Sequence, residues 1–391
     1  MFDQLNNRPA DSLLALIKAF QADDRTGKID LGVGVYRDTM GRTPVMRAVK
    51  AAEQFLLETQ DSKKYLGPEG DLQFVHLLQP IVFGKSPKFD RRLVGIQTPG
   101  GSGALRLGAE LIQTANPSAK VLLGTPSWPN HAPIFSSARL AVKDYAFVDL
   151  TLQQVKFDSV VDALSSAAEG DVVLFHGCCH NPTGIDFTIE QWRQIAELLV
   201  ARRLVPFIDL AYQGLGDGLE QDAAPTRMIL DAVDEALIAY SCDKNFGLYR
   251  ERVGALYVMT RNNDDIGKAE SNMAALARVN WSMPPDHGAA VVRTILESPE
   301  MSAMWRAELD EMCERVNGNR AALAAAAPDL AFISRQRGLF SNLSMSRETA
   351  AALRARHGIY MAASGRMNLA GMQPTDAGAI VTALRAEGCL K

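Results

Sequence analysis

The chain has 391 residues, of which 47% are hydrophobic and 22% charged, and its formal net charge is −4. These values are those of an ordinary globular protein and exclude a largely disordered chain. The weakly acidic balance argues against a nucleic-acid partner, because binding to nucleic acid usually needs a strongly basic surface. Five cysteines without a C-x-x-C pair give no reason to expect a disulfide framework or a zinc site.

The first twenty residues contain no basic segment followed by an apolar one, so they lack the pattern of a secretory signal. No stretch of the sequence approaches the roughly 18 consecutive apolar residues of a membrane span. We therefore expect a cytoplasmic protein with no membrane partner.

The middle of the chain alternates between short apolar runs and helical patterns. A helix is predicted over residues 188–202, where Thr188 and Gln191 can form a capping box. Such alternation predicts an α/β fold with a mainly parallel sheet, helices on both faces and ligands at the carboxyl ends of the strands. The predicted strands are residues 121–124, 172–175, 205–210, 236–241 and 254–260.

The C-terminal part of the sequence departs from this alternation and reads as a smaller α+β unit. We predict a large domain over residues 45–310 and a small domain formed by residues 1–44 and 311–391. The elements predicted in the C-terminal part are an alanine-rich helix at 321–327, strands at 332–334 and 340–344, and a helix at 349–357.

Two glycine-containing turns could bind a ligand or could simply connect elements. Residues 98–105 (TPGGSGAL) precede a predicted helix, whose first backbone N–H groups can bind an anion, but such turns are also plain connections. Arg106 fills the third glycine position of a dinucleotide fingerprint, so that fingerprint is incomplete. In the second turn, His176 and His180 have a metal-binding spacing only on a helix, which Pro182 opposes. We therefore predict packing roles for the two histidines and no metal.

Three charged residues stand where a charge is costly without a partner. Asp209 ends a predicted buried strand, where it either meets a partner or caps a helix. Lys244 follows another buried strand, with Ser241 before it and Arg252 eight residues after it. Arg366 lies between a glycine turn and an apolar strand, where it needs either an anion or a structural salt bridge.

Each segment alone is ambiguous, but their order and spacing resemble those of the class I aminotransferases. The resemblance is to the aspartate and aromatic amino acid aminotransferase group, and it extends over essentially the whole chain. The matching motifs are LGVGVYRD (31–38), YLG (65–67), PSWPNH (126–131), HGCCHNPTG (176–184), DLAYQG (209–214), KNFGLYRERVG (244–254), RVNWSMPP (278–285), RGLFS (337–341) and SGRMNLAGM (364–372).

This resemblance implies an enzyme of the pyridoxal phosphate (PLP) fold type I, with a mostly parallel seven-stranded sheet in the large domain. It also implies a homodimer whose active sites are shared between subunits. The implied reaction transfers an amino group between an L-amino acid, of the aspartate, glutamate, phenylalanine and tyrosine class, and a 2-oxo acid such as 2-oxoglutarate. It would proceed in ping-pong fashion through a Schiff base between Lys244 and PLP.

The resemblance assigns residues to the cofactor ring. Lys244 corresponds to the lysine that carries PLP and moves the proton, and Asp209 to the carboxylate that bonds the ring nitrogen. Tyr212, counted with these two as catalytic, and Asn181 correspond to the donors to the ring oxygen. His131 is expected to support Asp209 from behind. Further expected neighbours are Trp128, stacked on the ring and bordering the substrate, and His176, in the layer behind the site.

The resemblance also assigns the anion-binding residues. Arg366 corresponds to the arginine that grips the substrate α-carboxylate as a bidentate pair, and Arg278, from the other subunit, to the one that grips a side-chain carboxylate. Gly34 and Phe340 are expected to line the substrate pocket. The expected phosphate ligands are Gly101, Ser102, Ser241 and Arg252, with Tyr65 of the neighbouring subunit.

Four positions depart from the pattern of the family. Asp243 stands where serine is usual, so we expect weakened PLP affinity or a local rearrangement. Ser102 replaces a threonine of aspartate-specific members, and serine there is familiar in members that accept aromatic substrates. Trp281 and Met283, near Arg278, replace tyrosine and a polar residue, which suggests a pocket tolerant of aromatic groups.

These features lead to a hypothesis of dual specificity, in which Arg278 pairs with a dicarboxylate and turns aside for an aromatic ring. One alternative is a PLP lyase or decarboxylase, since the same fold serves those reactions. A second is a ligand-sensing domain of a transcription regulator. Such a regulator would need an attached DNA-binding segment, and none is apparent in this sequence. A third, a nicotinamide dehydrogenase, leaves Lys244, Asp209 and Asn181 without a role.

Overall fold

The structure is a computed structural model that describes residues 1–7, 12–85 and 87–391. Residues 8–11 of the predicted small domain therefore lie outside the described part. The described α-helices are α1 (Ser12–Gln21), α2 (Arg47–Thr59), α3 (Leu72–Phe83), α4 (Gly100–Ala115), α5 (His131–Ser137), α6 (Phe157–Ser165), α7 (Ile189–Arg202), α8 (Leu219–Ala232), α9 (Ile266–Asn280), α10 (His287–Glu297), α11 (Pro299–Ala326), α12 (Arg347–His357) and α13 (Ala377–Ala386).

The strands and the short 3₁₀ helices complete the described secondary structure. The strands are β1 (Ile29–Asp30), β2 (Leu93–Pro99), β3 (Lys120–Thr125), β4 (Ala141–Ala146), β5 (Val148–Asp149), β6 (Gln154–Val155), β7 (Val172–His176), β8 (Val205–Leu210), β9 (Ala236–Ser241), β10 (Val253–Met259), β11 (Phe340–Asn342), β12 (Ile359–Tyr360) and β13 (Arg366–Asn368). The 3₁₀ helices are Phe2–Gln4, Asp90–Arg92, Asn263–Asp265, Pro328–Arg335, Leu369–Gly371 and Pro374–Asp376.

A seven-stranded sheet in the order β2-β10-β9-β8-β7-β3-β4 forms the centre of the molecule. Strand β10 runs antiparallel to both of its neighbours, and every other adjacent pair in this sheet is parallel. Every residue of β9 and β10 is buried, because helices cover both faces. The predicted α/β fold with a mostly parallel, helix-flanked sheet is confirmed, and each of the five predicted strands coincides with a strand of this sheet.

The predicted helix at 188–202 is α7, and the capping box that starts it is present. The Thr188 hydroxyl accepts a hydrogen bond from the backbone N–H of Gln191, and the Gln191 side chain accepts one from the backbone of Thr188. Among the described helices, none combines the length and the apolar character that crossing a bilayer requires.

The C-terminal part forms a smaller α+β unit with its own apolar core. Strands β1 and β12 pair in parallel, β11 and β13 pair antiparallel, and the residues around them pack into a cluster separate from the two clusters on the central sheet. Helix α11 contributes Trp305 and Leu309 to a core of the large sheet and Leu323 to the core of the smaller unit. The predicted boundary near residue 310 falls inside this helix.

One predicted element of this unit is wrong. Residues 332–334 were expected to form a strand, but they lie in the 3₁₀ helix Pro328–Arg335. The buried residues of that helix, Leu330 and Ile333, are three apart, which places both on one side of a 3₁₀ helix. A strand would instead have buried alternate residues.

Candidate active site

A cavity of about 300 Å³ opens at one edge of the central sheet. Strands β3, β7, β8 and β9 are parallel and end at this edge, and the antiparallel β10 begins there. The loops after these strands therefore converge, as expected for a ligand site on an open α/β sheet. The predicted site residues that line the cavity are Gly34, Gly101, Ser102, Trp128, His176, Asn181, Asp209, Tyr212, Ser241, Lys244, Arg252, Phe340 and Arg366.

A carboxylate and a histidine form a buried pair at the floor of the cavity. Asp209, near the end of β8, lies 2.9 Å from His131 Nε2, while His131 Nδ1 lies 2.8 Å from the Ser127 hydroxyl. Burial alone would raise the pKa of Asp209, but the hydrogen bond with His131 and the nearby positive groups hold that pKa below its ordinary value. Asp209 is therefore an anion held by a partner, and it does not cap a helix.

A lysine amine faces this carboxylate from the next strand. Lys244 follows β9, and its Nζ lies 5.2 Å from the centre of the Tyr212 ring. Burial lowers the pKa of the Lys244 amine, while the carboxylates of Asp243 and Asp209 partly oppose that shift. Tyr212 in turn lies within 3.4 Å of the Asn181 amide, which donates to the Tyr212 hydroxyl. A buried amine with a lowered pKa is suited to act as a nucleophile and as a base.

One side of the cavity can hold an anion. The first turn of α4 brings Gly101 and Ser102 to the cavity, opposite Ser241 at the end of β9 and Arg252 just before β10. Gly100, at φ +67°, admits a close approach of the arginine, because a Cβ there would lie 2.6 Å from Arg252 Nη2. Backbone N–H groups at a helix start together with a guanidinium form a good site for a phosphate.

The opposite side of the cavity carries a second buried cation. Arg366, in β13, donates from Nη2 to the Gly32 carbonyl at 3.2 Å and from Nη1 to the Asn181 side chain at 3.4 Å. Its guanidinium lies 4.4 Å above the Phe340 ring. Its Nε is buried and has no hydrogen-bond partner among the residues that the structure describes. This arginine is not part of a structural salt bridge in the described chain, and a bound carboxylate would supply what it lacks.

The predicted packing histidines, His176 and His180, form a row with His131, and His176 of this row also lines the cavity. The ring centre of His176 lies 5.0 Å from that of His131 and 4.2 Å from that of His180. Burial lowers the pKa of His176 to about 3, so this residue is neutral. Its Nε2 atom has no hydrogen-bond partner within the described residues.

Comparison with known proteins is consistent with this arrangement. The family model of the "Aminotransferase class I and II" matches residues 26–384. The chain is 52% identical over 384 residues to a tyrosine aminotransferase of Rhizobium meliloti (strain 1021), covering 97% of this chain and 98% of that one. It is 44% identical over 384 residues to an aspartate aminotransferase of Escherichia coli (strain K12), covering 96% and 97%.

The fold of the chain also matches that of a solved structure. The aromatic amino acid aminotransferase of Burkholderia pseudomallei, described as covalently bound to pyridoxal phosphate, superimposes with a TM-score of 0.95 at 38% identity and full coverage of both chains. The chain belongs to the class I and II aminotransferase family. It transfers an amino group between an amino acid and a 2-oxo acid, and its cofactor is PLP. The comparisons do not favour the alternative of a lyase or a decarboxylase.

The residues of this aminotransferase fit the cofactor chemically. The cavity offers an amine for the aldehyde, Lys244, and a buried carboxylate for a protonated ring nitrogen, Asp209. The first turn of α4 and Arg252 can hold a phosphate dianion. The guanidinium of Arg366, which also lines the cavity, remains for the substrate. Each polar group of PLP therefore has a complementary group in the cavity.

Two predicted site residues do not reach the cavity of their own chain. Tyr65 is 90% exposed, and Arg278, in the last turn of α9, is also exposed. Arg278 donates to the Ser282 hydroxyl at 3.4 Å. Trp281 and Met283, which were expected to act near Arg278, do not line the cavity of their own chain. Trp281 instead packs against the apolar core that lies on one face of the sheet.

The structure adds residues to the cavity lining to which the sequence analysis assigned no role. Leu13, Val33 and Val35, all from the N-terminal part of the chain, line the cavity together with Leu105 and Ala211. Apolar residues of this kind carry no chemical signature in a single sequence. Val33 and Val35 flank Gly34, which was predicted to line the substrate pocket. Their position beside Gly34 is the feature of the sequence from which their place in the cavity could have been predicted.

Proposed function

We propose that this aminotransferase accepts both dicarboxylic and aromatic amino acids, with 2-oxoglutarate among its oxo-acid partners. The observation that carries this proposal is the buried guanidinium of Arg366, whose Nε is unpaired among the described residues in the same cavity as the Lys244 amine. An α-amino acid presents a carboxylate and an amine. The Arg366 guanidinium can bind the carboxylate, and Lys244 lies in the same cavity to meet the amine. The apolar side chains of Leu13, Val33 and Val35 offer surface for a ring.

The proposed roles around the cofactor follow from charge. When bound, PLP draws electrons from the substrate α-carbon and makes its proton acidic. Asp209 keeps a proton on the ring nitrogen because its carboxylate is held ionised by His131. Lys244 would carry the cofactor, and its amine, whose pKa burial lowers, would act as the base for the substrate α-proton. Tyr212 and Asn181 donate to the ring oxygen.

The remaining cofactor contacts serve the phosphate and the ring face. The phosphate would be held at the anion-binding side of the cavity, which is formed by Ser241, Arg252 and the start of α4. Trp128 borders the cavity and is proposed to stack on the ring. These contacts would orient the cofactor toward Lys244, which follows β9.

A homodimer with shared active sites is part of the proposal. The backbone N–H of Leu66 donates to the Met283 sulfur at 3.0 Å, so the segment of Tyr65 lies beside the loop that follows Arg278. Val279, next to Arg278, is 85% exposed despite being apolar. Tyr65 and Arg278 are therefore presented together on one surface, from which both could enter the cavity of a second subunit. Burial of such apolar side chains against a partner would stabilise that contact.

Two further predictions are carried forward with this proposal. We propose that residues 45–310 form the large domain and residues 1–44 with 311–391 the small one, supported by the separate core around Leu323 and Ile359. The cytoplasmic location expected from the N-terminal sequence stays a prediction.

The experiment that tests the function is a single half-reaction followed by absorbance. PLP-loaded protein is mixed with aspartate, or with phenylalanine, and no oxo acid is added. Loss of the PLP absorbance with gain of the pyridoxamine phosphate absorbance by both amino acids is expected. Conversion by only one of the two amino acids would contradict the proposed specificity, and conversion by neither while PLP stays bound would contradict amino transfer with these substrates.

The variant Arg278→Ala tests the switch between substrates. It should lower the half-reaction rate with aspartate by a factor of about 100 or more, because a side-chain carboxylate loses a charge-assisted partner worth roughly 3 kcal/mol. The rate with phenylalanine should change little. Arg261→Ala, which removes another exposed arginine, is the control and should affect neither substrate. Equal losses with aspartate and phenylalanine would show that Arg278 does not discriminate between them.

A further inference from the structure

The anion-binding side of the cavity contains a carboxylate of the protein itself. Asp243 is 2% exposed, and its Oδ2 forms an ion pair with Nη1 of Arg252. Its Oδ1 accepts a hydrogen bond from the backbone N–H of Val253 at 3.2 Å. Both carboxylate oxygens are therefore engaged, and the Arg252 guanidinium is already neutralised by a neighbour.

This pair lies at the start of helix α4. A Cβ on Gly100 would be 2.6 Å from Arg252 Nη2 and 3.1 Å from the Oδ2 of Asp243. The backbone N–H of Asp243 also donates to the Ser241 hydroxyl at 3.3 Å. The carboxylate thus sits among the helix start, the serine and the arginine that the proposed function assigns to the cofactor phosphate.

We propose that Asp243 competes with the phosphate of the cofactor for Arg252, so that this enzyme holds PLP loosely and exchanges it readily. The inference rests on the proposed role of Arg252 in binding that phosphate. A phosphate dianion brought to this side meets a fixed negative charge and an arginine that already has an anionic partner. Either the Asp243–Arg252 ion pair opens or two anions share one guanidinium, and both outcomes oppose binding.

The same ion pair has a second consequence for the protein without cofactor. Arg252 is only 41% exposed, and without Asp243 it would lack an anionic partner when the cofactor is absent. Asp243 therefore stabilises the cofactor-free protein while it weakens the bound state. Removing its charge should shift the balance toward the cofactor-bound form.

The test measures ligand affinity and does not depend on catalysis. Cofactor-free wild-type protein, Asp243→Asn and Asp243→Glu are titrated with PLP and with pyridoxal, which lacks the phosphate. Asparagine keeps the shape of the side chain without its charge, and glutamate keeps the charge. We expect Asp243→Asn to lower the Kd for PLP by a factor of about 10 or more and to change the Kd for pyridoxal by a much smaller factor.

The other expected results separate charge from shape. Asp243→Glu should bind PLP no more tightly than the wild type does. The inhibition constant of inorganic phosphate, obtained from its competition with PLP after correction for the Kd of PLP, should be lower in Asp243→Asn than in the wild type. The thermal midpoint of cofactor-free Asp243→Asn should be lower than that of the wild type, and its rise on adding PLP should be larger.

Three results would overturn the inference. An unchanged or raised Kd for PLP in Asp243→Asn would mean that Asp243 positions Arg252 for the phosphate or is neutral toward it. An equal gain in affinity for PLP and for pyridoxal would mean that Asp243 acts through the Lys244 amine, whose pKa it raises. If the wild type does not bind PLP, this inference and the proposed function fail together. If amino transfer is normal but the Kd for PLP is unchanged in Asp243→Asn, only this inference fails.

Discussion

Replacement of Arg366 by lysine probes the contact that the proposed function depends on most. The arginine is held by the Gly32 carbonyl and the Asn181 side chain, which leaves its Nε free of partners among the described residues. Burial lowers the pKa of this guanidinium, yet arginine stays charged at neutral pH. Lysine keeps the positive charge but presents a single ammonium group, so it cannot offer a carboxylate two parallel hydrogen bonds.

The magnitude of the effect follows from the loss of one charge-assisted hydrogen bond. Such a bond contributes about 1.5–3 kcal/mol, which corresponds to a fall in kcat/KM of about 10- to 150-fold. Because aspartate and phenylalanine both carry an α-carboxylate, the two substrates should lose activity to the same extent. This result would contrast with Arg278→Ala, which should affect aspartate selectively.

The assay is the half-reaction rate at several concentrations of each amino acid. Arg315→Lys is the matched control, since this part-buried arginine donates to the Arg37 carbonyl at 2.9 Å and to the Gln373 side chain at 2.8 Å, away from the cavity. It should leave kcat/KM close to that of the wild type. If Arg366→Lys keeps wild-type kcat/KM with both amino acids, Arg366 does not bind the α-carboxylate and the assignment of this side of the cavity is wrong.

The remaining predictions concern the two groups at the centre of the site. Lys244→Met should abolish covalent attachment of PLP, measured by mass spectrometry after borohydride reduction, and it should raise the thermal midpoint of the cofactor-free protein near pH 7. The thermal midpoint should rise because burial lowers the folded-state pKa of Lys244, so the charged amine opposes folding at low pH. The gain in thermal midpoint of the variant over the wild type should shrink as the pH rises toward about 10.4, the ordinary pKa of lysine. A retained mass increase, or a lower thermal midpoint, would contradict this. For Asp209, the folded-state pKa lies below the ordinary value, so the carboxylate contributes stability above a pH of about 4 that is lost as the pH falls through its lowered pKa. Asp209→Asn should therefore lose less stability than the wild type on acidification below about pH 4, and parallel curves of thermal midpoint against pH would refute this.

The sequence was most informative where burial and chemistry coincide. Asp209 and Lys244 each stand at or just after an apolar run, and the structure places those runs side by side as β8 and β9. Because parallel strands end at one edge of a sheet, the convergence of the two residues can be predicted from the sequence. The capping box of Thr188 and Gln191 is equally local and was predicted for the same reason.

Features that depend on tertiary packing could not be predicted from local patterns. Leu13 and Val35 line the cavity only because the N-terminal segment folds back across the sheet, and nothing in their type signals that position. The expected strand at 332–334 is a 3₁₀ helix because Leu330 and Ile333 are drawn into the small core. The expected places of Tyr65 and Arg278 depend on a second subunit and stay predictions.

The two residues proposed to meet the amino acid, Lys244 and Arg366, belong to different parts of the fold, and this division has a mechanical consequence. Lys244 is fixed by the central sheet, whereas Arg366 lies in β13 and rests on Phe340 of the paired strand β11. An amino acid that binds Arg366 through its carboxylate and meets Lys244 through its amine must therefore bridge the sheet and the smaller unit. Asn181, from the loop after β7, already links them by its contact with Arg366 at 3.4 Å. Substrate binding should strengthen that link, since one ligand then holds both units in the geometry that proton transfer requires.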